Sequence, residues 1–210
     1  MKTVGRGPVW AAAILLGLMV PVQADYESGV KAYTSGDYES ALGEFGRAAD
    51  GGDRNAQYNV GLMHLKGQGV AANDKEAVRW FRKAAGLGQV EAQTFLGALY
   101  ADGQGVAQDY EQAAYWLAMA AEAGRGAAQC FLGQLYADGL GVEEDRVEAY
   151  AWLSVSEVNG YPEAAGLLKE VAASMSPGDI ERARRLAQVR GPNWARQGES
   201  TLPVQAVSKD

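Results

Sequence analysis

The chain repeats itself every 36 residues. Ala56-Gln57, Ala92-Gln93 and Ala128-Gln129 open three successive units, Gly61, Gly97 and Gly133 follow, and Gly-x-Gly-Val recurs at 67–70, 103–106 and 139–142. The second half of each unit keeps the same phase. Asn73, Asp109 and Asp145 align, as do Ala77, Ala113 and Ala149, then Trp80, Trp116 and Trp152, and finally Gly88, Gly124 and Gly160. Roughly half the positions of the second and third units are identical. A period of this length marks a solenoid, in which each unit is one supersecondary motif that cannot bury its apolar face alone and must stack on its neighbours. The units so defined run 56–91, 92–127 and 128–163.

Within a unit the spacing predicts two short helices. Apolar or small residues at 92, 95, 96 and 99 follow the i, i+3, i+4, i+7 rule, and Gly103 and Gly105 supply the positive φ that ends a helix. A second helix restarts at Asp109-Tyr-Glu-Gln112, with parallels at 73–76 and 145–148. There the first side chain caps an orphan N–H and the fourth is expected to reach back to the cap, for about 0.5–2 kcal/mol per cap. Gly61, Gly97 and Gly133 permit close approach of the paired helices, since a Cβ would hold the backbones apart.

The ends read differently. Asp37, Ala41 and Gly52 lie one period before Asn73, Ala77 and Gly88, so residues 25–55 form a degenerate first unit. Downstream, 164–190 reads as capping helices, with Ser176 as N-cap and Pro177 at the first helical position of the last one. Its charged face suits the terminal cap of a solenoid. Residues 191–210 are polar and aperiodic, as expected of a disordered tail. Residues 1–24 carry Lys2 and Arg6, an apolar run from Val9 to Val20 and a small-residue site ending at Ala24, the pattern of a secretory signal peptide cleaved after Ala24. The run is too short to span a bilayer, so no membrane span is expected after cleavage. The expected address is the periplasm or the medium.

Composition narrows the function. The chain holds 19 Lys and Arg against 26 Asp and Glu, a net charge of −7, which opposes the phosphate binding that nucleic-acid partners require. One cysteine, Cys130, and one histidine, His64, exclude intrachain disulfides and Cys/His zinc clusters. No cofactor is implied.

The run Ala-x-x-x-Leu-Gly-x-x-Tyr-x-x-Gly-x-Gly-Val-x-x-Asp-x-x-x-Ala-x-x-Trp at 92–116 resembles the Sel1-like repeat, a relative of the tetratricopeptide repeat. The resemblance implies an all-α fold, a right-handed α/α superhelix of antiparallel helical hairpins, in proteins that generally scaffold protein complexes. Exported bacterial members commonly serve envelope assembly, signalling or polysaccharide machinery. Departures are small. His64 replaces the tyrosine found at Tyr100 and Tyr136, and Ser156-Glu157 replace an Ala-Ala pair, which is expected to loosen the last full hairpin.

A catalytic alternative rests on Ser28-Gly-Val-Lys31, the S-x-x-K spacing of penicillin-binding serine enzymes, in which a lysine one turn away takes the serine proton. Certain cysteine-rich relatives of the repeat family are assigned β-lactam binding or hydrolysis. Those relatives carry a cysteine pair per repeat, however, and here Ser28 falls where a frayed end is expected after cleavage. A structural cell-wall-associated protein is the third class. Trp80, Trp116 and Trp152 recur in every unit and are read as packing residues, and Cys130 as a small buried cysteine, with an intermolecular disulfide as the alternative. Partner-binding positions are sought where units differ along one face of the first helix: Tyr58, Leu62 and Leu65; Thr94, Ala98 and Ala101; Cys130, Gln134 and Ala137. In the related superhelices the first helices line the concave surface, so these stripes would form a groove for another protein, expected to be an envelope component. Asp102 and Asp138 at its edge favour a basic segment.

Overall fold

A computed structural model describes residues 22–191. The expected leader falls outside these residues except for its last three positions, and the expected tail falls outside them after Gly191. The described chain is all-α, with ten helices and no strand: α1 (Val22–Thr34), α2 (Tyr38–Asp50), α3 (Arg54–Lys66), α4 (Asp74–Gly86), α5 (Val90–Asp102), α6 (Tyr110–Glu122), α7 (Gly126–Asp138), α8 (Arg146–Val158), α9 (Ala164–Ala172) and α10 (Pro177–Arg190). Consecutive helices pair as hairpins, α1 with α2, α3 with α4, α5 with α6 and α7 with α8, and each hairpin packs on the next. The result is an α/α solenoid.

Helices α2 to α8 each have 13 residues, a length at which an isolated helix is marginal in water, so packing and caps must hold them. Asp37, Asn73, Asp109 and Asp145 cap the second helix of each hairpin by accepting from the N–H of Ser40, Glu76, Gln112 and Glu148. The reciprocal half of the expected capping box is not made. The cap N–H groups of Asn73, Asp109 and Asp145 donate instead to the carbonyls of His64, Tyr100 and Tyr136 in the helix before, while Glu76 and Glu148 pair with Arg79 and Arg190.

Glycine sets the spacing in two ways. A Cβ on Gly97 would lie 2.6 Å from Leu117 Cγ, and one on Gly133 would lie 2.8 Å from Leu153 Cγ, so the two helices of a hairpin touch at the expected glycine. In the Gly-x-Gly loop the second glycine does more than turn the chain. A Cβ on Gly105 would meet the carbonyl oxygen of Asp74 at 2.5 Å, and one on Gly141 that of Tyr110 at 2.1 Å, which locks each loop onto the start of the preceding unit's second helix. The recurring glutamine is a second inter-unit device. Gln57, Gln93 and Gln129 are buried and donate through Nε2 to the carbonyls of Ala49, Ala85 and Ala121, satisfying the C-terminal end of the helix before.

The last hairpin is the most enclosed. Every residue of α8 from Tyr150 to Ser156 is buried, because α7 and α9 pack against it and α10 lies on a further face. α10 thus folds back onto α8 instead of continuing the array with α9. The expected loosening at Ser156 is overturned: its Oγ donates to the Gly126 carbonyl at 2.7 Å, and nearby Asn159 Nδ2 donates to Gln129 Oε1 at 2.8 Å. A hydroxyl in place of a methyl here joins the two helices. α1 runs unbroken from Val22 through Ser28 and packs on α2, with Gly29 against the Phe45 ring.

Candidate interaction cleft

The first helices of neighbouring units lie side by side, packed at their N-terminal turns. Tyr58 spans two units, its ring centroid 5.9 Å from Phe81 and 6.0 Å from Phe95. One unit on, Thr94 is buried and its Oγ donates to the Val90 carbonyl. Cys130, 2% exposed, packs against Leu153 and Ala164. Burial pushes its thiol up to about 11, with the Glu163 carboxylate adding to the shift. Tyr58 and Cys130 therefore sit between units, and Thr94 is buried with its hydroxyl bonded to its own helix. Thr94 and Cys130 are closed off by their neighbours, and Tyr58 keeps only part of its ring in solvent.

Toward their C-terminal turns the same helices separate, and a cleft opens. Ala98, Ala101 and Asp102 of α5 face Phe131, Gln134, Leu135 and Asp138 of α7 across a space of about 250 Å³, closed at one side by Tyr110, Leu117 and Leu140. A second space of about 230 Å³ adjoins it. Gln134, Ala137 and Asp138 line that one from α7, Leu167, Glu170, Val171 and Ser174 line it from α9 and beyond, and Arg146 and Leu153 of α8 complete it. Gln134 and Asp138 belong to both, so the two spaces form one path across α7. Six of the residues expected in the groove come together here: Ala98, Ala101, Asp102, Gln134, Ala137 and Asp138. Leu62 and Leu65 are half-buried and pack, with Tyr58, on the main core of the solenoid.

Between α5 and α7 the path is floored by Ala98, Ala101, Leu117 and Leu135 with acidic residues at its rim, while between α7 and α9 the polar side chains of Gln134, Arg146, Glu170 and Ser174 share the lining. Asp102 and Asp138 are exposed one unit apart, and Arg146 stands at the far end paired with Glu144. Phe131, 38% exposed, is its largest apolar surface and was not among the stripes. The cause is a change of size between units. Phe95 is covered by Tyr58 and stacked on Phe81, whereas the positions equivalent to those two rings, one period on, hold Thr94 and Leu117. Thr94 is too short to cover Phe131. A comparison of side-chain volume between units would have found it.

The other residues of interest are placed as follows. Trp152 is buried, while Trp80 and Trp116 are half-buried and pack on core clusters, so the periodic tryptophans serve inter-helix packing with one edge in solvent. His64 is half-buried on the last turn of α3, and its Nδ1 is buried without a hydrogen bond. Ser28 and Lys31 occupy exposed positions on α1. Among the described residues no three His, Cys, Asp or Glu side chains form a metal-binding group, and no helix is long and apolar enough to cross a membrane.

Ten helices in stacked hairpins, with loop glycines and buried glutamines repeated from unit to unit, define a helical-repeat protein. The chain is a Sel1-repeat protein: the Sel1 repeat model matches it three times, at 54–89, 90–124 and 126–155. Each match begins about two residues before the unit boundary read from the Ala-Gln pair, at or beside the first residue of α3, α5 and α7. Among solved structures, a protective antigen present in uropathogenic Escherichia coli strains, displaying an SLR fold, is 31% identical with a TM-score of 0.77 over 90% of this chain and 43% of its own. A Sel1 repeat protein from Oxalobacter formigenes is 26% identical with a TM-score of 0.67 over 77% of this chain and 67% of its own. The chain thus spans less than half the length of the E. coli antigen. No curated protein matches it.

Proposed function

We propose that the protein is a non-enzymatic scaffold of the bacterial envelope that holds a segment of another protein in the path across α7. The observation that carries this reading is the coincidence of the open path with positions that differ between units. Residues fixed by the repeat, such as Gly97, Gln93 and Leu96, are consumed in packing. Ala98, Asp102, Gln134 and Asp138 are left facing the open space. An exposed aromatic ring on an apolar floor supplies the anchor that peptide recognition uses, and the acidic rim selects a basic neighbour for it.

Export rests on the sequence of residues 1–24. A protein so processed begins at Asp25 and fractionates with the periplasm of a Gram-negative cell; N-terminal sequencing of the fractionated protein decides, and an intact Met1 in the cytosol contradicts it. The cleft is tested by placing a photo-crosslinking residue at Gln134 and, as control, at Gln188 on the exposed side of α10. A discrete crosslinked protein from Gln134 and none from Gln188 is the expected result. Equal or absent crosslinking at both positions contradicts the cleft.

A further inference from the structure

One pair of positions on the second helix of each unit is filled in three different ways. On α4 it holds Arg79 and Lys83, whose charged groups lie 5.8 and 3.8 Å from the Trp80 ring centroid. On α8 it holds Ala151 and Val155, both buried beneath α10, where Leu186 and Ala187 pack on them. Arg190 of α10 then lies 4.5 Å over the Trp152 ring and pairs with Glu148. On α6 the pair is Tyr115 and Met119, 55% and 39% exposed. Trp116 beside them meets Tyr115 edge-on at 5.0 Å, and no described cation stands over its ring.

We infer that this face of α6 is a docking surface for an amphipathic helix of a partner protein, one that presents small residues four apart and a basic side chain a turn later. That is the pattern by which Ala183, Ala187 and Arg190 seat α10 on α8. Two observations favour it. The surface continues an interface the molecule already makes, since α6 and α8 hold the same place in successive units. Charge also favours it: Glu111 and Glu122 are exposed at the two ends of α6, which has no basic residue, and a basic side chain gains from the face of an indole, although the Glu148 that pairs with Arg190 on α8 is matched on α6 by the neutral Gln112. A second copy of this chain is a poor occupant, because the seating face of its own α10 is already used. None of Tyr115, Trp116 and Met119 lines the cleft, so the surface stands apart from the proposed groove.

The probe is a fluorescent synthetic peptide of residues 176–191, titrated into the intact protein and followed by anisotropy. Tyr115→Glu with Met119→Glu, both at exposed positions, is expected to weaken binding by about tenfold with unchanged circular dichroism. Asp102→Lys with Asp138→Lys is expected to leave it unaltered, and Gln in place of Arg190 in the peptide to weaken it by about two- to fivefold. Absence of binding overturns the inference. So does binding that survives the α6 changes, which would mean the peptide displaces α10 from α8. Binding lost only in the Asp102→Lys, Asp138→Lys protein overturns it too, and assigns the peptide to the cleft.

Discussion

α6 and α8 are the same element of the repeat in two surroundings. α6 is covered on the faces that meet α5 and α7 and is open on the rest; α8 is covered by α7, α9 and α10, and has no outward face along its middle. Their sequences differ where this matters. Tyr115 and Met119 become Ala151 and Val155, so the side chains shrink where a helix arrives, and Ala118 and Ala120 become Ser154 and Ser156, whose hydroxyls donate to the Tyr150 and Gly126 carbonyls. One backbone frame thus serves as surface in one unit and as core in the next. What decides is the size and hydrogen bonding of a few residues outside the repeat signature.

The same substitution at the two places should give unlike results. Val155→Glu puts an unpaired carboxylate under α10 and is expected to cost about 3–5 kcal/mol, while Met119→Glu stays within about 0.5 kcal/mol, both read by urea unfolding. Equal effects would break the comparison. Positions shared by the two hairpins should respond alike. In Gly97→Ala and Gly133→Ala the new Cβ meets a leucine branch point and a carbonyl at 3.2 Å that cannot withdraw, so overpacking of about 1–3 kcal/mol outweighs the helix propensity gain of about 1 kcal/mol. Ser156→Ala removes the link between α8 and α7 and leaves the Gly126 carbonyl without that donor, for about 1–2 kcal/mol, whereas Ala120→Ser on α6 gains less, because the equivalent acceptor, the Val90 carbonyl, already accepts from Thr94 Oγ.

The smallest effect concerns Cys130. Its thiol should resist iodoacetamide at pH 8 in the native protein and react readily in urea, with the native pH midpoint near the value of about 11. Since the unfolded chain releases this proton near its ordinary value of 9.0 while the folded chain retains it, the thiol's contribution leaves stability unchanged below pH 9 and lowers it as pH rises toward 11. Rapid native alkylation at pH 8 would place Cys130 outside the α7–α9 joint.

Most of the fold was legible because it is periodic. The hairpins, their caps, the touching glycines and the loop glycines are each written three times, and repetition separates what every unit needs from what one unit has. The partners of the recurring glutamines were not legible, since a carboxamide at the start of one helix reaches the end of another eight residues back only after the turn is folded. The return of α10 onto α8 was hidden for a related reason: small residues at 151 and 155 announce room, not its occupant. The cleft was read in part. A stripe along a helix assumes one environment along its length, yet the first helices touch at one end and part at the other, so Thr94 and Cys130 are enclosed while Ala98, Asp102, Gln134 and Asp138 face open space.

The central claim is that positions fixed by the repeat build the solenoid and positions that vary along the cleft hold its partner. In-cell crosslinking followed by affinity purification, comparing the native protein with the Asp102→Lys, Asp138→Lys form, tests it most directly. The account predicts one envelope protein captured by the native chain and lost from a variant with unaltered circular dichroism and melting temperature. Capture of the same protein at the same yield by the folded variant would contradict it.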